Sequence, residues 1–235
     1  MVAAFKKNIT SLLKASLYVV INNDYSDPDL QHKSNMLAEI VVKNGCDIVQ
    51  YRPKRIRYLK MFKEASLISE VCAHHRVPFI INDHIDLAIE VNADGIHLGQ
   101  GDISIQHARA ILGNDKIIGL TVRSVDEALK APLHLLDYVS IGGVFPTKSK
   151  KLETKLLGLT GLKNVIKVIK NSHPNLPIVS IAGLNETNIA DVINCGVDSI
   201  AVISAISKVE FPKIACSMIK DVIVSASKKE VQNVS

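Results

Sequence analysis

The chain has 235 residues, of which 47% are hydrophobic, 22% charged and 4% aromatic, with no Trp. That profile is globular and excludes collagen-like, low-complexity and intrinsically disordered chains. Lys and Arg number 28 against 23 Asp and Glu, a net charge of +5 without any long block of like charges, so no nucleic-acid partner is expected, while a mildly basic balance suits a pocket for phosphorylated ligands.

Near the N-terminus Lys6 and Lys7 precede an apolar run over 9–21. Lys14 interrupts it and no small-residue cleavage site follows, so a secretory signal is not expected. No stretch supplies the roughly 18 uncharged apolar residues of a membrane span. A cytoplasmic protein with no membrane partner follows. Short apolar runs then alternate with amphipathic segments eight times. The strands are placed at 17–21, 48–51, 79–82, 95–98, 117–120, 138–141, 178–181 and 200–202, most of them continuously apolar, as parallel strands buried on both faces are. Between them, Leu37, Ile40 and Val41 share one helical face, and Leu59, Phe62, Leu67 and Val71 line a second. Further helices are placed at 85–91, 105–112, 124–131, 159–169, 187–194 and 211–225. Ser124 followed by Glu127 reads as a capping box. Cys46, Cys72, Cys195 and Cys216 have neither C-x-x-C nor zinc spacing and read as buried free thiols.

Eight strand–helix units without a break in composition argue for one α/β domain over residues 1–235, a closed (β/α)8 TIM barrel with its core at about 15–226 and a frayed polar tail over 227–235. A doubly wound open sheet is the alternative, but it would carry G-x-G-x-x-G after its first strand, and none occurs.

In such a barrel chemistry sits at the C-terminal ends of the strands. There the sequence places Gln50, Arg52 and Lys54; Asn82 and Asp83; Asp102; Thr121; Thr147, Ser149 and Lys150; Gly183; and Ser204. Arg52, Lys54 and Lys150 aim three cations at one mouth, enough to hold a diphosphate. Asp83 and Asp102 are solvated loop acids or two oxygen ligands for Mg2+, which takes a few carboxylates plus phosphate oxygens. Gly183 and Ser204 follow strands seven and eight, where barrels often bind a phosphate. Two phosphorylated ligands in one mouth suggest group transfer between them.

These motifs resemble the thiamine-phosphate synthase family. The matching stretches are Q-Y-R-P-K at 50–54, I-N-D-H-I-D-L-A at 81–88, A-D-G-I-H-L-G-Q-G-D at 93–102, V-F-P-T-K-S-K-K at 144–151, G-L-T-G-L at 158–162, S-I-A-G-L at 180–184 and A-V-I-S-A-I at 201–206. The resemblance implies transfer of the aminomethylpyrimidinylmethyl group from its diphosphate to the nitrogen of a thiazole phosphate. It places Gln50 against the pyrimidine and Arg52, Lys54, Asn82 and Lys150 on the diphosphate. Asp83 and Asp102 would bind Mg2+. Thr121 stands where the family usually has a serine near the leaving group. Thr147, Ser149 and Gly183, with backbone at Ile203 and Ser204, would hold the thiazole phosphate. Both partners are small molecules, and a homo-oligomer is compatible with a sequence that does not fix the number of copies. His97 is expected to pack or to be fixed in one tautomer.

The chain departs from the family pattern at Gly143, at Ser149, at Val122-Arg123, at Ser199 and at Ala182, where the family has a first glycine. If that position needs a positive φ, Ala182 is strained. Two further readings stay open. One is a thiazole tautomerase, which needs no diphosphate site; the other is a non-catalytic regulator that binds a phosphorylated ligand. The charged loop at 147–155 has the length and place of a mobile lid.

Overall fold

The computed structural model describes residues 5, 8–24, 33–54, 56–147 and 156–234. Its strands are β1 (Ser16–Asp24), β2 (Ile48–Lys54), β3 (Phe79–Asn82), β4 (Gly95–Leu98), β5 (Ile117–Val122), β6 (Tyr138–Ile141), β7 (Ile178–Ser180) and β8 (Ser199–Val202). They pair in chain order, all parallel, and β8 closes on β1. The helices are α1 (Ile9–Leu12), α2 (Ser34–Val42), α3 (Tyr58–His75), α4 (Ile85–Glu90), α5 (Ile105–Leu112), α6 (Val125–Lys130), α7 (Gly158–Ser172), α8 (Ile189–Ile193), α9 (Ser204–Ser207) and α10 (Pro212–Val234). The closed barrel is the expected one, and the open doubly wound sheet is excluded.

Strand side chains alternate between two cores, as the period of two requires. Leu17, Val19, Val49, Ile81, Ile96, Ile118 and Val139 face the surrounding helices. Tyr18, Val20, Ile48, Ile80, Ile117, Tyr138, Val179 and Ala201 fill the barrel itself. Ile9 and Leu13 join this inner cluster. The start of the N-terminal apolar stretch thus forms α1 ahead of β1, and Ile9 and Leu13 close one end of the barrel.

Four aspartates stand immediately before the even strands and bind the strand before. The Oδ2 atoms of Asp47, Asp94, Asp137 and Asp198 accept from the backbone N–H of Leu17 (2.7 Å), Phe79 (2.8 Å), Ile118 (2.8 Å) and Ile178 (2.8 Å). Each aspartate's own N–H donates to the carbonyl of that same residue at 2.8 to 2.9 Å. Three are also ion-paired: Asp47 with Lys220 (2.6 Å), Asp137 with Arg109 (2.7 Å) and Asp198 with Lys170 (3.3 Å). Burial raises the pKa of Asp94, and the Phe79 N–H and the charge of Lys116 act against it.

Several boundaries and one helix face differ from the sequence reading. β1 and β2 run three residues further, with Asn22 opposite Arg52 and Asp24 opposite Lys54. β2 pairs with β3 only as far as Tyr51, so Pro53 lies on an edge, where its missing N–H costs no ladder bond. On α3 the buried face is Met61, Ala65, Ile68 and Cys72; Leu59 is 65% and Leu67 46% exposed. The true stripe steps by four, three and four residues, which holds one face of a 3.6-residue helix. α10 continues to Val234 through the polar segment expected to fray. Cys46, Cys72 and Cys216 are buried free thiols and Cys195 is half-buried.

Removing Asp47, Asp137 or Asp198 takes the anion away from both a strand N–H and a cation. For Asp137, where both partners of the ion pair are 11% exposed, Asp137→Ala is expected to cost about 3 kcal/mol in urea unfolding. Truncating the exposed Glu39 of the Glu39–Lys43 pair is expected to leave the urea midpoint almost unchanged, because solvent screens a surface pair.

Candidate active site

The barrel interior changes from apolar to polar toward the C-terminal ends of the strands. Gln50, Asn82, His97 and Thr121 are all buried there. With Val20, Arg52, Arg123, Gly142, Gly143, Thr147, Ile181, Ala182 and Ile203 they line an open cleft at the barrel mouth, a concave and largely apolar wall with a few convergent polar groups, as small-molecule sites have. A second cleft, lined by Asp83, Gly99, Gln100, Gly101 and Asp102, shares Arg52, Asn82, His97, Thr121 and Arg123 with the first. One polar wall thus serves two spaces, an apolar-backed one and an acidic one.

Local structure holds this wall. Arg52 Nη1 donates to Asn22 Oδ1 at 2.7 Å, a contact that exists because β1 and β2 extend past the expected ends. Burial lowers the Arg52 pKa; Asp83 pushes it back up, Arg123 lowers it further and Asp102 raises it. Asp83 sits at φ +64°, a left-handed conformation that Asp tolerates better than most residues, and its N–H donates to the His97 carbonyl at 2.9 Å. Its carboxylate is exposed at the mouth. Asp102 Oδ2 accepts from the Gly99 N–H at 2.7 Å, and Gln100 Nε2 donates to the Thr121 carbonyl at 2.8 Å. Thus the loop after β4 is tied to the end of β5.

Among the expected site residues, the structure brings together Gln50, Arg52, Asn82, Asp83, Asp102, Thr121, Thr147 and Ile203 as cleft walls. Lys54 ends β2 opposite Asp24 and lines neither cleft. Ser204 opens the four-residue α9. Gly183 stands behind the wall. At φ +72°, a Cβ there would lie 2.5 Å from the Pro146 carbonyl oxygen and 2.7 Å from Phe145 Cβ, so only glycine lets the loops after β6 and β7 touch. Ser149 and Lys150 lie outside the described residues, as does most of the 147–155 loop.

Arg123 is the wall residue that sequence reasoning missed as a ligand group. Ser124 Oγ accepts from the Glu127 N–H at 3.1 Å, the expected cap, while Glu127 Oε2 accepts from the Arg123 N–H at 2.6 Å. The capping carboxylate therefore fixes the backbone from which the guanidinium reaches both clefts. A cation two residues past Thr121, just beyond a strand end, was the available signal.

Fold and site together define a (β/α)8 barrel with a cationic and acidic ligand mouth at its C-terminal face. The chain belongs to the thiamine monophosphate synthase family, whose model matches residues 17–206. It is 40% identical over 195 residues to the thiamine-phosphate synthase of Persephonella marina, covering 82% of this chain and 88% of that one. To the thiamine-phosphate synthase of Methanobrevibacter smithii it is 36% identical over 203 residues, covering 86% and 92%. Among solved structures it resembles thiamine phosphate pyrophosphorylase from Pyrococcus furiosus, with a TM-score of 0.79, 30% identity and coverage of 93% of this chain and 99% of that one.

Ala182 stands at φ +89°, the left-handed strain that its replacement of a glycine foretold. Relieving it by Ala182→Gly is expected to add about 1 kcal/mol of stability, or roughly 2–4 °C in a thermal melt of a chain this size. A lower melting temperature would contradict the strain.

Proposed function

We propose that this chain is a thiamine-phosphate synthase that joins a pyrimidine diphosphate and a thiazole phosphate across the shared wall of its two clefts. The observation that carries the reading is that wall: Arg52, Asn82, His97, Thr121 and Arg123 border both the acidic cleft and the cleft that runs to Thr147, Ala182 and Ile203. Two ligands seated on its two sides would meet with their reacting atoms side by side, which removes much of the entropic cost of a bimolecular step.

In this reading Arg52, Arg123 and Asn82 hold the diphosphate, with Lys54 and Lys150 as the further cations the family resemblance implies. Gln50 orients the pyrimidine. Thr147, Ser149 and Gly183, with the backbone at Ile203 and Ser204, take the thiazole phosphate. The donor set at the acidic cleft fits Mg2+: Asp83 and Asp102 offer hard carboxylate oxygens beside the place of the diphosphate. When bound, Mg2+ supplies positive charge against the departing pyrophosphate.

The bond from the pyrimidine methylene carbon to the diphosphate oxygen breaks, and its electron pair leaves with pyrophosphate. Arg52, Arg123 and Thr121 stabilise the charge that grows there. The electron-rich aminopyrimidine bears the methylene cation, and the thiazole nitrogen lone pair closes the new C–N bond. No protein nucleophile is needed. Val20, Ile181 and Ile203 give the first cleft apolar walls that exclude the water that would otherwise trap the cation. The tautomerase alternative has no use for a diphosphate wall, and the arginines and carboxylates gathered here speak against it. No helix among the described residues is long and apolar enough to cross a membrane.

The test is to supply both substrates and Mg2+ and to follow thiamine phosphate after oxidation to fluorescent thiochrome. Product that is lost with EDTA is the expected result, and Asp83→Asn is expected to cut turnover well over tenfold with an unchanged circular dichroism spectrum. Binding of both substrates without product would overturn the reading in favour of a regulator. Product that is insensitive to EDTA would overturn the metal alone.

A further inference from the structure

A continuous chain of buried hydrogen bonds crosses the barrel beneath the clefts. Gln50 Nε2 donates to Tyr18 Oη at 2.8 Å. Tyr18 Oη lies 2.9 Å from Tyr138 Oη, and Tyr138 Oη lies 2.9 Å from His97 Nδ1. His97 Nε2 lies 2.7 Å from Thr121 Oγ1. The chain thus starts at one cleft residue, Gln50, and ends at another, Thr121, passing through groups that water does not reach: Tyr18 and Tyr138 are each 1% exposed.

The sequence makes room for it deliberately. The Tyr138 ring lies over Gly119, where a Cβ would come within 2.1 Å of its Cζ and 2.5 Å of its hydroxyl. No other residue at that position of β5 admits the ring without a shift. The His97 ring stacks on Tyr138 with centroids 5.6 Å apart and planes 24° apart.

Counting donors gives the chain a direction. The Gln50 amide nitrogen can only donate, so the Tyr18 oxygen accepts from it. The Tyr18 hydrogen then has one partner within the chain, Tyr138. Having accepted from Tyr18, Tyr138 gives its own hydrogen to His97 Nδ1, which must be the bare nitrogen. The proton of the neutral imidazole is therefore on Nε2 and is donated to Thr121 Oγ1. Thr121 accepts, and its hydroxyl hydrogen is left to point into the clefts it lines. The opposite direction would strand the Tyr18 hydrogen in a fully buried site, an arrangement that costs about 1–3 kcal/mol. Burial raises the pKa of both tyrosines, so both keep the protons that the chain needs.

We propose that Gln50, Tyr18, Tyr138 and His97 form a positioning relay that locks His97 as the Nε2–H tautomer and so commits the Thr121 hydroxyl to donate into the cleft. Thr121 is the catalytic residue at the end of the relay, because it faces the reacting atoms; Tyr18, Tyr138 and His97 act through it, while Gln50 also lines the cleft on the pyrimidine side. The acceptor rests on the function proposed above: an oxygen of the departing pyrophosphate. The direction of the relay does not depend on that function.

The experiment reads the tautomer directly, by long-range 1H–15N spectra of the histidine rings in the full chain, with His97 assigned by its loss in His97→Gln. The wild-type protein is expected to show protonated Nε2 and bare Nδ1. Gln50→Glu puts an acceptor at the start of the chain and is expected to reverse it, moving the proton to Nδ1. A wild-type Nδ1–H tautomer, or the same tautomer in both proteins, would overturn the relay whatever the enzyme activity. With turnover established, Tyr138→Phe keeps the ring over Gly119 and is expected to lower kcat by about tenfold while KM stays within about twofold, and Thr121→Val is expected to lose more. Thr121→Ser is expected to retain most of the wild-type kcat. Full kcat in Tyr138→Phe, with the tautomer as expected, would remove the catalytic consequence and leave the relay as architecture.

Discussion

The barrel depends on one contact made four times: an aspartate that clips the start of an odd strand to the start of the next even strand. Asp47, Asp94, Asp137 and Asp198 each offer a carboxylate oxygen to a strand N–H and a backbone N–H to the same residue's carbonyl. Parallel strands have no hairpin to set their register, and a slip of one residue would exchange the two cores. A two-point clip at the base of each strand pair prevents that slip. The ion pairs to Lys220, Arg109 and Lys170 then tie the clips to α10, to α5 and to α7, so the ring of helices and the ring of strands share the same anchors.

With the register fixed, the order of residues along each strand becomes a gradient along the barrel axis. On β2 the inward positions read Ile48, Gln50, Arg52; on β5 they read Ile117, Gly119, Thr121. Apolar side chains fill the base, the tyrosine–histidine chain occupies the middle, and guanidinium, amide and hydroxyl groups reach the mouth. The mouth is therefore a consequence of strand register. Its polar groups need not be desolvated without partners, because the layer below supplies hydrogen bonds to them.

Much of this could be read from the sequence. Short, mostly apolar runs located β3, β4 and β6 at their observed ends, since strands buried on both faces leave little ambiguity. The polar residues after those runs marked the mouth, and family motifs marked which of them gather there. What could not be read depends on neighbours distant in the chain. The extension of β2 through Pro53 needs the knowledge that β3 has already ended. The buried face of α3 was misplaced because Leu59 and Leu67 are as apolar as Met61 and Ile68, and composition alone does not say which stripe meets the barrel. Arg123 looked like a departure from a motif, whereas the Glu127 cap makes it part of the wall. Gly119 gave no sign in sequence that a tyrosine from the next strand would lie across it.

The central claim is that two phosphorylated ligands meet at the wall formed by Arg52, Asn82, His97, Thr121 and Arg123. It is tested most directly by a crystal structure of the protein with thiamine phosphate, pyrophosphate and Mg2+ together. The account predicts pyrophosphate against Arg52, Asn82 and Arg123 with the metal at Asp83 and Asp102, and the phosphate of thiamine phosphate beside Gly183 and Ser204. Pyrophosphate bound away from the two arginines, or both ligands excluded from the mouth, would contradict it.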